Sequence, residues 1–172
     1  LAMGDELGID PIRSHALNNM GFAKVAIGDA GGIDDLERSV AVAVEANSIE
    51  SVRAYGNLAS VFADLGELER AEAARAEALR LGKRFGVEDW LRWIRSDQVW
   101  GLYFQGEWDE ALEQLNAILP EAADRGFWIE TPLRWVRGRI RLARDEVRGA
   151  QEDAERGLDR AEAAKDPQVL WP

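Results

Sequence analysis

The stretch LGELERAEAA, Leu65 to Ala74, decides the fold because its pattern recurs along the chain. It contains a glycine, an acid, one apolar residue, two polar residues, and then an alanine that opens an apolar helical face. The same order occurs in QGEWDEALEQ, Gln105 to Gln114, and looser copies begin at Ile27 and Arg144. The equivalent small residues lie 39, 40 and 39 positions apart: Gly32, Ala71, Ala111 and Ala150. A spacing held this closely indicates a repeat architecture.

Each copy predicts two amphipathic helices around a tight turn. Apolar residues recur at steps of three and four before and after Gly66, which is the helical period. Gly28, Gly66 and Gly106 allow one helix to end, and Asp145 takes the glycine's place in the fourth copy. The acid after each turn lies where the helix dipole favours negative charge.

The predicted units cover residues 11–47, 50–86, 88–126 and 129–165, with connectors such as GVED and RGFWIETP between them. We therefore expect an all-α, right-handed superhelical solenoid of about four helix pairs, forming one domain over residues 1–172.

Composition narrows the functional classes. The 172 residues are 47% hydrophobic and 31% charged, with no long uncharged apolar run and no signal-peptide pattern, which predicts a soluble cytoplasmic protein. The absence of cysteine excludes disulfides and thiolate sites, and the single His15 excludes a multi-histidine metal site. A formal net charge of −11 disfavours general binding to nucleic acid or to an anionic membrane surface.

The second unit contains Tyr55-x2-Leu58-Ala59-x2-Phe62, followed by Gly66 and Ala71, and the first unit offers Leu17-x2-Met20-Gly21. This pattern resembles the signature of the tetratricopeptide repeat. The period of 39 to 40 residues exceeds the usual value of about 34, so HEAT-like or armadillo-like pairs are the alternative. The resemblance implies a non-catalytic scaffold that binds a protein or peptide on its concave face, without metal or cofactor.

A narrower resemblance connects ALNNMG, GIDDLERSVAVAVEA, EDWLRW and GEWDEALEQL to the long-period helical repeats of large bacterial signalling regulators. Those chains join an ATPase module to an adenylate or guanylate cyclase, or to a LuxR-type DNA-binding domain. Residues 1–10 look like the tail of a preceding helix, so we expect a fragment of a longer chain whose other domains are further partners. The alternatives are a free-standing adaptor with a natural cap and, less favoured, a carboxylate-based enzyme on a helical scaffold.

A peptide groove is predicted along the first helices of the pairs, which line the concave face of such arrays. The resemblance adds that an asparagine matching Asn19 and Asn57 commonly hydrogen-bonds the backbone of a bound peptide. The alternative is that both amides bond neighbouring turns or water. The predicted groove residues are Asn19, Phe22, Arg53, Asn57, Ser60, Asp97, Trp100, Arg137 and Arg141.

Two further patterns each have two interpretations. The aromatic residues around Trp90, Trp93, Trp100, Trp128 and Trp135 predict core filling at helical spacing, or else an anchor for a partner, with Trp100 partly exposed. Four arginines follow steps of three and four and predict a ridge on one side of a helix: Arg134, Arg137, Arg141 and Arg144. That ridge is either a strip for an acidic ligand or a solvated face paired to acids around Asp145, Glu146 and Glu152.

The acids after Gly106 and the glycines at 28–32 are the remaining candidates. Glu107, Asp109 and Glu113 could form an acid/base site, but acids recur at the same place in every copy, which favours helix-start chemistry. GDAGG lacks the preceding strand and the lysine of a phosphate loop, so a turn is favoured. We therefore expect no catalytic, metal-binding or cofactor-binding residues in this chain.

Overall fold

A computed structural model describes residues 1–122 and 127–165, with the side chains of residues 121, 122, 127 and 128 excepted. The described residues are all-helical and contain no strand. Their helices are α1 Ala2–Leu7, α2 Asp10–Ala26, α3 Gly31–Glu45, α4 Glu50–Asp64, α5 Leu68–Phe85, α6 Glu88–Gln105, α7 Trp108–Ala122, α8 Phe127–Ala143 and α9 Val147–Ala164. The expected all-α class is confirmed.

The turns within the pairs share one geometry. Gly28, Gly66, Gly106 and Asp145 have φ of 82°, 76°, 84° and 62°, which is the left-handed region. In each turn the next residue donates its N–H to the carbonyl oxygen five positions back, as from Glu67 to Phe62 at 2.8 Å. This bond ends a helix and reverses the chain. Acidic residues follow the turns, as predicted. For example, α7 has Asp109 and Glu110 in its first turn.

The chain divides into two compact units, Leu1–Ile94 and the residues from Arg95 on. The prediction of one domain over residues 1–172 stays a prediction. In the first unit α2 packs on α3, α4 packs on α5, and α2 and α3 both contact α4. In the second unit α7 packs on α8, and α8 packs on α9. Consecutive helices therefore form the packed pairs within each unit.

Apolar side chains from successive helices form the cores. One cluster of the first unit joins Leu36, Leu58 and Phe62, all 6% exposed or less. A second cluster joins Val52, Ala78 and Leu81 to Ile94 of α6. In the second unit α6, α7 and α8 contribute the fully buried Val99, Leu115, Leu133, Val136 and Ile140. These cores fix which helix faces remain available for binding.

The first copy of the repeat departs from the others for a packing reason. A Cβ on Gly32 would lie 2.5 Å from the carbonyl oxygen of Gly21, and a Cβ on Gly21 would lie 2.6 Å from the carbonyl oxygen of Gly32. The two helices thus cross backbone to backbone, and no side chain fits between them. Gly32 stands where other copies have alanine because even a methyl group would push α2 and α3 apart.

Candidate functional site

A buried asparagine organises the predicted groove residues of the first unit. Asn18 is fully buried, and its Oδ1 accepts hydrogen bonds from Arg53 Nη1 at 3.0 Å and from Asn57 Nδ2. Arg53 also donates to Glu50 Oε2 through Nε at 3.0 Å and Nη2 at 2.9 Å. A weaker bond of 3.4 Å runs from Arg53 to Asn19 Oδ1. We call these five residues the Asn18 cluster; it joins α2 to α4.

The solvent side of this cluster carries the other predicted residues of the first unit. Asn19 is exposed, and Phe22, one helical turn further along α2, is 45% exposed. His15 Nδ1 lies 3.4 Å from Glu50 Oε2. Ser60 is half-buried and donates to the carbonyl oxygen of Gly56 at 3.2 Å. The α2/α4 face thus combines an exposed aromatic ring with amide and charged groups held in place by neighbours.

The structure assigns Arg53 and Asn57 to internal bonds. Arg53 is only 9% exposed, and Glu50, one turn earlier on α4, accepts hydrogen bonds from two of its nitrogens. Asn57 donates to Asn18, a residue outside the predicted groove set. Asn18 precedes Asn57 by 39 positions, the repeat spacing, and that signal could have identified it. The Nδ2 of Asn18 is buried without a hydrogen-bond partner among the described residues.

An aromatic cluster contains the predicted Trp100 in the second unit. Trp100 is half-buried and stacks on Trp135 with ring centroids 4.6 Å apart. Phe104 packs beside Trp100 at 5.9 Å but is 72% exposed. The Arg139 guanidinium lies 4.6 Å from the centre of the Trp135 ring and donates to the Tyr103 hydroxyl at 2.9 Å. Asp97 is half-buried, and the side chain of Trp128 lies outside the described residues.

The predicted arginine ridge converges on a buried aspartate. Asp153 of α9 is 2% exposed and accepts from Arg134 at 3.1 Å, from Arg141 at 2.7 Å and from Arg137 at 2.6 and 2.8 Å. Burial alone would raise the pKa of Asp153, but the hydrogen bonds and charges of the three arginines outweigh it and leave that pKa below its ordinary value. We call these four residues the Asp153 cluster.

The ridge is therefore not a solvated face. Arg134 is 8% exposed, and its Nε also donates to Glu130 Oε1 at 2.8 Å, where Glu130 is 3% exposed. Only Arg144 lies outward, with its Nη2 2.6 Å from the Asp109 carboxylate, which is 92% exposed. The acids that pair with the ridge are Asp153, Glu130 and Asp109, together with the predicted Glu146, whose Oε2 lies 3.9 Å from Arg141 Nε.

A second buried aspartate occupies the equivalent place in the first unit. Asp35 is 6% exposed and lies 2.6 Å from Lys24 Nζ and 3.2 Å from Arg38 Nη1. The hydrogen bond from Lys24 to Asp35 raises the pKa of Lys24 above its ordinary value. Asp35 and Asp153 each stand three residues after the small residue of their copy, Gly32 and Ala150. That shared position is a sequence signal for buried charge.

No group of three or more acids and histidines arranged to hold a metal ion occurs in residues 1–122 and 127–165. Glu107 precedes α7, and Asp109 of α7 contacts Arg144, which follows α8. In the same ranges, none of the helices has both the length and the apolar character needed to cross a lipid bilayer.

In the part of the chain that the structure describes, the packed helix pairs carry two polar clusters, each centred on a buried side chain, that of Asn18 or that of Asp153. The chain matches no protein-family model. It is similar to a Rhizobium meliloti (strain 1021) protein named "Putative 4-hydroxythreonine-4-phosphate dehydrogenase 2", with 35% identity over 96 residues. The match covers 52% of this chain and spans 28% of the length of that relative.

Proposed function

We propose that the chain is a non-catalytic scaffold for protein–protein interaction and domain coupling, with tetratricopeptide-like pairs stacked as a right-handed superhelix. The observation that supports this proposal is the α2/α4 face. There, exposed Phe22 and Asn19 lie beside polar groups that are already fixed by the Asn18 cluster. An aromatic anchor next to ordered amides suits an extended peptide, because little side-chain entropy is lost on binding.

The acids in the repeated motif favour a scaffold over a carboxylate enzyme. Asp109 is almost fully exposed and has an arginine partner, while Glu107 lies at the helix start. These are roles in helix stability and surface pairing. We also propose that the scaffold serves a multidomain bacterial regulator, with ATPase and cyclase or LuxR-type domains elsewhere in a longer chain. There, peptide capture would bias contacts between the helix pairs and those domains.

A random-peptide display library selected on the purified chain tests the binding face. We expect enriched peptides whose affinity, measured by fluorescence anisotropy, falls about tenfold in Asn19→Ala and in Phe22→Ala. Phe104→Ala removes an equally large exposed aromatic ring from the second unit and is the matched control. Peptides that bind the two α2 variants as tightly as the unchanged chain would show that this face is not the binding site.

A further inference from the structure

The single histidine of the chain, His15, lies on the α2/α4 face. Asn19 and Phe22 follow it along α2 at helical steps, so the three side chains share one side of that helix. All three are exposed, and the side chain of His15 is 55% exposed. The imidazole therefore borders the surface on which the peptide is proposed to bind.

A carboxylate from α4 faces this imidazole. His15 Nδ1 lies 3.4 Å from Glu50 Oε2, and the same oxygen accepts hydrogen bonds from Arg53 Nε at 3.0 Å and Nη2 at 2.9 Å. The charge of Glu50 is thus already balanced by Arg53. When the imidazole is neutral, the three side chains together carry no net charge. When it gains a proton, they carry one net positive charge at the exposed rim of the face.

Ion pairs join α2 to its other two neighbours, α1 and α3. Asp5 of α1 lies 2.8 Å from Arg13, which also pairs with Asp10 at 2.8 Å. Asp35 of α3 lies 2.6 Å from Lys24. Aspartate, lysine and arginine side chains ordinarily keep their charge between about pH 6 and pH 8, whereas histidine changes its charge there. Of the charged groups around the first turns of α2, the imidazole is therefore the one that titrates in this range.

We propose that the α2/α4 face selects peptides with an acidic side chain, and that protonation of His15 strengthens this selection. This regulation rests on the proposed function, because it requires a peptide on the same face. An acidic side chain of a peptide lying across Asn19 and Phe22 comes close to the imidazole. At pH 8 it meets a neutral ring on a chain with a formal net charge of −11. At pH 6 it meets an imidazolium that donates a charge-assisted hydrogen bond.

One random-peptide display library, selected on the intact chain at pH 6 and at pH 8 in low salt, tests this selection. We expect Asp and Glu to be enriched among the peptides selected at pH 6. A tetramethylrhodamine-labelled copy of such an acidic peptide should bind about threefold more tightly at pH 6 than at pH 8, as measured by anisotropy, because an exposed ion pair contributes this much. Raising NaCl to about 0.5 M should remove most of the difference.

His15→Gln is the variant that tests the histidine. It keeps a polar side chain at an exposed position but removes the titration, and circular dichroism melting checks that the variant is folded. We expect it to bind the acidic peptide equally at both pH values. Replacing Asp and Glu in the peptide by Asn and Gln should likewise remove the pH dependence with the unchanged chain. Since the chain has one histidine, its ring signals in NMR report on His15 alone and should shift when the acidic peptide is added.

Two results overturn the proposed regulation: a pH dependence that persists in His15→Gln, and a selection at pH 6 without an excess of acidic residues. Phe22→Ala separates this failure from failure of the proposed function. If Phe22→Ala weakens binding while His15→Gln keeps the pH dependence, the face binds peptides but His15 does not tune it. If Phe22→Ala binds as tightly as the unchanged chain, or if no peptide is enriched at either pH, both proposals are wrong.

Discussion

At the scale of single residues, we expect the loss of the Asp153 carboxylate to reduce the stability of the fold the most. Its carboxylate is the common acceptor for Arg134, Arg137 and Arg141. In Asp153→Asn one neutral amide replaces that charge, and a partly buried set of guanidinium groups loses its compensation. We expect the free energy of unfolding, measured by urea titration, to fall by about 3 kcal/mol.

Asp109→Asn is the matched control for that substitution. Asp109 also contacts an arginine, but its side chain is 92% exposed, so its loss should change the free energy of unfolding by less than about 0.5 kcal/mol. Equal losses in the two variants would contradict the buried role of Asp153.

The lowered pKa of Asp153 predicts a pH dependence with a definite sign. The folded state favours the ionised carboxylate more than the unfolded state does. The resulting contribution of Asp153 to the free energy of unfolding is therefore present above the unfolded pKa of about 4. It is lost as pH falls through the lower folded-state pKa. We expect the difference in melting temperature between the unchanged chain and Asp153→Asn to be constant from pH 7 to pH 5. Below pH 4 it should shrink, and a difference that grows there would be inconsistent with this sign.

At the scale of helices, the crossing of α2 and α3 depends on Gly21 and Gly32. Gly32→Ala inserts a methyl group against backbone atoms, which cannot rotate away as a side chain would. We expect a loss of about 2 kcal/mol in the free energy of unfolding.

Gly101→Ala is the matched control within a helix. A Cβ there would meet only the end of the Gln105 side chain, at 3.7 Å. Alanine should then stabilise α6 by about 0.5 kcal/mol, because it restricts the unfolded chain and favours helix. Destabilisation of similar size in both variants would contradict the role of close backbone packing.

The sequence predicts the helices and turns well because both depend on local signals. A glycine in the left-handed region, an acid after it and apolar residues at three- and four-residue steps are properties of neighbouring positions. Comparison of the repeats also shows that Gly32 replaces the usual alanine. The reason for this replacement is the carbonyl oxygen of Gly21, which belongs to another helix.

The side-chain clusters were harder to predict because they depend on which helix faces meet. Arg53 and Asn57 are predicted to line a groove but donate to Asn18, which only the 39-residue repeat spacing distinguishes from its neighbour Asn19. Likewise, the spacing of Arg134, Arg137 and Arg141 correctly places them on one side of α8. It does not reveal that Asp153 approaches that side from α9. Long-range pairing of polar groups is specified by tertiary packing, which periodicity along one helix does not encode.

At the scale of the whole molecule, the formal net charge of −11 should make stability depend on salt. Self-repulsion among the excess acids opposes the compact state, and added ions screen it. Exposed ion pairs such as Arg13–Asp5 and Arg80–Glu77 are screened too, but each contributes little. Relief of repulsion should therefore be the larger effect.

We expect the melting temperature at pH 7 to rise by about 3 °C between about 0.05 M and 0.5 M NaCl, equivalent to about 1 kcal/mol. Asp153→Asn should melt at a lower temperature but show the same rise, because Asp153 and Arg134 are buried and therefore poorly screened. A melting temperature that falls with salt would mean that surface ion pairs outweigh the net charge. The stabilising charge interactions would then be the ion pairs at the surface. The pair of Arg144 and Asp109 would be the first to remove by mutation.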